Sequence, residues 1–84
     1  MDDQPRIQVL LFGAVADLIG LRELEMEISY RSSLNEIIER FSTNYPKLSE
    51  HKLLTAVNEE YASDPDRLLN AGDRVAIFTA VSGG

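Results

Sequence analysis

The sequence predicts an α+β domain in which a mixed sheet packs on one main helix. Three observations lead there. Residues 33–45 carry an apolar stripe at helical spacing, and the stretches before and after it carry apolar runs of strand length. The chain has 84 residues, enough for one core with little surplus stability. A single amphipathic helix needs a sheet face on which to bury its stripe, so both kinds of element belong to one layered unit.

The elements follow in order. After a loose acidic start, "IQVLLF" (Ile7 to Phe12) is an apolar, β-rich run of strand length. "GAVADLIG" lies between Gly13 and Gly20 and sets Val15, Leu18 and Ile19 at the spacing of a short helix. In "LRELEMEI", Leu24, Met26 and Ile28 alternate with Glu23, Glu25 and Glu27, the pattern of a strand with one wet face. Ser33 with Glu36 fits a helix-capping box. Beyond it, Leu34, Ile37, Ile38, Phe41 and Tyr45 form the stripe of the main helix, which Pro46 ends. "KLLTAVNEEYAS" reads as a strand, a turn near Asn58 to Glu60, and a short return strand through Tyr61. "DPDRLL" reads as a helical turn and "NAGD" as a tight turn, and "RVAIFTAV" is the last strand.

The order is strand, strand, helix, strand, short strand, strand. With the last strand beside the first after its long excursion, this is the β-grasp, or ubiquitin-like, arrangement. The expected organisation is a single domain over residues 1–84, with a flexible Gly-Gly tail at residues 82–84.

Composition narrows the function classes. A formal net charge of −6 disfavours nucleic acid, whose phosphates need clustered Lys and Arg. No apolar run approaches the roughly 20 residues needed to cross a bilayer, and "MDDQPR" is the opposite of a secretory n-region, so a cytoplasmic protein without a membrane partner is expected. The chain has no cysteine, which removes thiolate-metal and cysteine-nucleophile chemistry. His51 sits among polar residues and reads as a surface side chain; Asp64 and Asp66 read as turn formers, and Glu36, Glu39 and Arg40 as the wet side of the helix. No metal site and no catalytic residue of its own are expected.

Alternation in the first and last strands has a consequence for partners. With Ile7, Val9, Leu11, Val75 and Ile77 facing the helix, Leu10, Phe12, Ala76 and Phe78 face away. Phe12 and Phe78 then share the open sheet face as a candidate interface, with Tyr61 a candidate neighbour and Val81 a further interface residue. The apolar run reaches Val81, and the chain closes on Ser82, Gly83 and Gly84 directly after it.

"VLLFGAVADLIG" near the start and "GDRVAIFTAVSGG" at the end resemble the small, sulfur-carrying subunit of molybdopterin synthase, the MoaD family. Related carriers serve thiazole synthesis and tRNA thiolation. The resemblance spans nearly the whole chain; Thr79 and Ala80 stand where many members carry two prolines, which leaves the tail's passage into a partner less rigid. It implies that Gly84 is adenylated by a ubiquitin-activating-type enzyme and becomes a thiocarboxylate. The sulfur would then pass, inside the large synthase subunit, to a cyclic pyranopterin monophosphate. Chemistry agrees with this division of labour. A carboxylate is a poor electrophile and needs ATP to become an acyl-adenylate, and this chain has no phosphate loop, so ATP belongs to the activating partner and no cofactor is bound here. Residues without Cβ allow the closest backbone approach in a narrow channel. From Ser82 to Gly84 the extended chain reaches about 10 Å into it. Sulfur transfer to thiazole, tRNA or cysteine acceptors, attachment to lysines as a protein modifier, and a plain interaction domain with inert glycines are the alternatives.

Overall fold

A computed structural model describes residues 4–62 and 64–79. Its elements are β1 (Arg6–Leu11), α1 (Gly13–Ile19), β2 (Glu23–Glu27), α2 (Leu34–Asn44), a 3-10 helix (Pro46–Glu50), β3 (Leu53–Val57), β4 (Glu60–Tyr61) and β5 (Arg74–Thr79). The strands form one five-stranded sheet in the order β2-β1-β5-β3-β4. β1 and β5 run parallel at its centre, with Val9 opposite Val75 and Leu11 opposite Ile77, and the outer pairings are antiparallel. The last strand therefore lies beside the first, the expected β-grasp arrangement.

The core sits between the sheet and α2. Ile7, Val9, Leu11, Val75 and Ile77 of the central strands cluster with Leu34, Ile37 and Phe41 of α2 and with Val15 of α1. Ser33 caps α2, its hydroxyl oxygen accepting the Glu36 N–H at 3.2 Å, which forms the serine half of the expected box. On β2 the glutamates are exposed and Leu24 and Met26 are half-buried, as the alternation requires. Arg40 reaches from α2 to donate to the Glu27 carbonyl at 3.1 Å and so occupies an acceptor at the edge strand.

Three local expectations are corrected. Phe12 is not the end of the first strand: β1 stops at Leu11, and Phe12, still extended at φ −129 and ψ 152, is the N-cap of α1. Pro46 ends α2 but also opens the 3-10 helix, where its missing N–H costs nothing at the first position and Leu48 is buried. "DPDRLL" is not a helical turn. The Asp64 carboxylate accepts the Asp66 N–H at 2.9 Å in an Asx turn, and Leu68 forms a bridge with Ser33 that ties this loop to the start of α2. Among the described residues, no helix is long and apolar enough to cross a membrane.

Candidate functional site: the aromatic face beside the last strand

The open face of the sheet has two halves. Cross-strand register puts Leu10 opposite Ala76, Ala76 opposite Ala56, Ala56 opposite Tyr61, and Phe78 opposite Leu54. Facing residues of paired strands share a side, so these form one apolar area continuing to the end of β5. The other half is charged. The Arg6 guanidinium pairs with Glu25 and Glu27 at 3.3 Å each, and the Gln8 amide donates to the Glu23 carboxylate at 2.9 Å.

Aromatic rings dominate the apolar half. Phe12 is 51% and Tyr61 80% exposed, while Phe78 between them is half-buried. Tyr61 meets Phe78 edge to face, with ring centroids 5.9 Å apart and planes at 60°, a favoured aromatic geometry. On its other side Phe78 shares a shallow, apolar cleft of about 370 Å³ with Phe12, Gly13 and Thr79. Local backbone explains how Phe12 gets there. Gly13 has φ +56, a left-handed conformation that lets the chain turn from strand to helix within one residue. The Phe12 N–H donates to the Ile77 carbonyl at 3.2 Å, anchoring the corner to β5.

The structure thus brings together Phe12, Phe78 and Tyr61. It adds Leu54 and Ala56, which the sequence reading did not single out; assigning β3 as the antiparallel neighbour of β5 would have supplied them. Val81, Ser82, Gly83 and Gly84, the remaining site residues expected from sequence, lie outside the described residues, as does Ala80. Thr79, the last residue described, lines the aromatic cleft. His51 is exposed, and Asp64 is engaged in its own turn. Among the described residues, no three His, Cys, Asp or Glu side chains are grouped so as to hold a metal ion.

The pattern of the ThiS family matches residues 9–84, nearly the whole chain including the terminal glycines. The chain belongs to the ThiS family. A molybdopterin synthase sulfur carrier subunit of Caenorhabditis elegans is 35% identical over 81 residues, covering 93% of this chain and 96% of that protein. Among solved structures, a putative molybdopterin converting factor subunit 1 from Pyrococcus furiosus superposes with a TM-score of 0.82 at 25% identity, over 92% of this chain and 99% of that one. A chain in the complex of subunits 1 and 2 of molybdopterin-converting factor from Helicobacter pylori has the same fold, with a TM-score of 0.66 at 20% identity over 94% of this chain and 99% of that one. In this ThiS-family chain the aromatic face adjoins Thr79, at the end of β5.

Proposed function

We propose that this chain is the sulfur carrier subunit of a molybdopterin synthase and that Gly84 carries the sulfur as a thiocarboxylate. The observation that carries the reading is family membership extending through Gly83 and Gly84, joined to an aromatic face beside the strand from which those residues continue. A carrier of this kind needs two things from its own residues: a backbone end slender enough to enter another protein's active site, and a rigid surface that registers that end. The glycines supply the first and Phe12, Phe78 and Tyr61 the second.

The chemistry divides among proteins. The Gly84 carboxylate attacks the α-phosphate of ATP held by a ubiquitin-activating-type adenylyltransferase, forming an acyl-adenylate and releasing pyrophosphate. A sulfide-level nucleophile displaces AMP and leaves the thiocarboxylate. In the large synthase subunit, that sulfur displaces an oxygen from a side-chain carbon of the cyclic pyranopterin monophosphate, breaking the carbon–oxygen bond; hydrolysis of the resulting thioester returns the carboxylate and leaves the sulfur on the pterin. The Helicobacter pylori pair of subunits supports a large-subunit partner of this type. The aromatic face would meet both partners in turn, and Val81 would extend it along the tail. Cytoplasmic location follows from partners that use ATP and a soluble pterin.

Deleting Gly84, or adding one residue after it, tests the reading. Either change should abolish thiocarboxylate formation by the activating enzyme, ATP and a sulfur source, followed by mass spectrometry and by assay of pterin product. Misplacement of a reacting atom by about 1 Å can cost roughly a hundredfold, and a whole residue is a larger error. Thermal stability should stay almost unchanged, because a terminal glycine buries little surface. Wild-type transfer by the shortened chain would return the glycines to a frayed end, and Gly-Gly remnants on lysines of proteins from the native host would point to a modifier instead.

A further inference from the structure

β4 consists of two residues, Glu60 and Tyr61, yet it presents one of the three rings of the aromatic face. Strands in folded domains usually run to three residues or more, and this one is held by two register pairs, Ala56 with Tyr61 and Val57 with Glu60. Its register matters. Successive strand residues point to opposite sides, so a slip of one position would carry Tyr61 from the open face to the helix side.

Two further bonds fix the register, and Thr55 makes both. The Ala62 N–H donates to the Thr55 carbonyl at 3.0 Å, and the Thr55 hydroxyl donates to the Ala62 carbonyl at 3.0 Å. Ala62 follows Tyr61 directly and packs against the core, so Tyr61 is held from its C-terminal side while the turn at Asn58 and Glu59 holds β4 from the other.

The residue type at position 55 is not the one that packing alone asks for. Thr55 faces Ile77 across the pairing of β3 with β5, and Ile77 is 1% exposed. Facing residues share a side, which puts Thr55 on the helix side, where it lines a cleft with Leu34 and Ile38 of α2. Valine would have the same shape there without a polar group, and a hydroxyl withdrawn from water costs free energy unless it is bonded. This one is bonded, to Ala62. We propose that Thr55 is a positioning residue of the partner-binding face: its hydroxyl locks the register at Ala62, so that the Tyr61 ring stands against Phe78 before a partner arrives. This role rests on the sulfur-carrier reading, in which that face meets the large synthase subunit. A ring already in place loses less freedom on binding, an advantage of about three- to tenfold in affinity for one immobilised side chain.

Thr55→Val and Thr55→Ser in the full chain test it, the first keeping the shape without the hydroxyl and the second the hydroxyl without the methyl. In the free chain, nuclear Overhauser contacts between the Tyr61 and Phe78 rings should weaken in Thr55→Val and persist in Thr55→Ser. Calorimetric titration with the large synthase subunit should find Thr55→Val about three- to tenfold weaker than wild type and Thr55→Ser close to it. Affinity should thus follow the hydroxyl, even though serine is the poorer strand former. In a Tyr61→Ala background, Thr55→Val should cost no further affinity, because the two residues act as one unit, whereas a general loosening of the fold would still cost it. Undiminished ring contacts in Thr55→Val, wild-type affinity in that variant, an equal loss in Thr55→Ser, or the same loss with Tyr61→Ala present would each overturn the role of Thr55. Failure of the wild-type chain to bind the subunit would instead count against the sulfur-carrier reading, and the ring contacts, measured without a partner, would still decide what Thr55 does.

Discussion

Along the central strands, adjacent residues meet opposite fates. Val75 and Ile77 are 0% and 1% exposed in the core shared with α1 and α2, whereas Ala76 and Phe78, one position along in each case, lie half-buried on the other side. Both faces are apolar near the end of β5, but only one is closed by a helix. Burial on the helix side supplies stability, and the same chemistry left uncovered on the other side is the surface proposed above for partner binding. The contrast teaches that hydrophobicity alone does not mark a core residue; what matters is whether another element of the chain comes to cover it.

Substitutions at the adjacent positions 77 and 78, with a third at Phe12, would break that contrast if it is wrong. Ile77→Ala should lower stability by about 2–5 kcal/mol, because it removes buried methyl groups and leaves a cavity. Chemical denaturation measures it, and a cost below about 1 kcal/mol would show that this face is not tightly packed. Phe78→Asp should have the reverse profile. It gives up the edge contact with Tyr61, about 0.5–1.5 kcal/mol, while weakening partner binding by about 2 kcal/mol or more as a central aromatic anchor. Phe12→Asp, at a more exposed ring, should weaken binding with still less effect on stability. Circular dichroism of both variants with titration of the large subunit decides the matter. An unfolded Phe78→Asp or Phe12→Asp protein would place that ring in the core.

What could be read from the sequence was whatever local pattern settles. Period-two alternation told the two faces of β1, β2 and β5 apart, and the 3.6-residue stripe with the Ser33 cap located α2. Pro46 was ambiguous on local grounds, since the same residue that stops one helix is well suited to begin another. "DPDRLL" failed for a different reason: its form is set by the bridge from Leu68 to Ser33, a contact between segments far apart in sequence. At the site, Phe78 was legible because it lies on a strand whose alternation is clear, and Phe12 because, as the extended residue after β1, it continues that strand's alternation. The contact of Tyr61 with Phe78 was not, because it depends on how a two-residue strand registers against β3 and how β3 registers against β5. Register is a tertiary property wherever a hairpin turn is not of a type recognisable from its residues.

That hairpin gives the smallest and most discriminating expectation. Tyr61 reaches the open face through the turn at Asn58 and Glu59, whose φ values of +53 and +72 give the primed geometry that suits the twist of paired strands. Asn58 is fitted for it: its amide donates to the Asp73 carboxylate at 3.0 Å, and its side-chain oxygen accepts the Arg74 N–H at 3.0 Å. Glu59 is exposed in a conformation that costs a residue with a Cβ about 1–2 kcal/mol. Glu59→Gly relieves that cost but gives the unfolded chain more freedom, worth about 0.5–1 kcal/mol in the opposite direction. The balance should be a gain of about 0.5 kcal/mol, or a rise of roughly 2–4 °C in melting temperature for a domain of this size. Because the substitution touches neither face of the sheet, partner binding through Phe12, Phe78 and Tyr61 should be retained. A lower melting temperature would show that the Glu59 side chain stabilises the fold by more than its backbone strain costs. Weaker partner binding at unchanged stability would instead extend the interface from the aromatic face around to this turn.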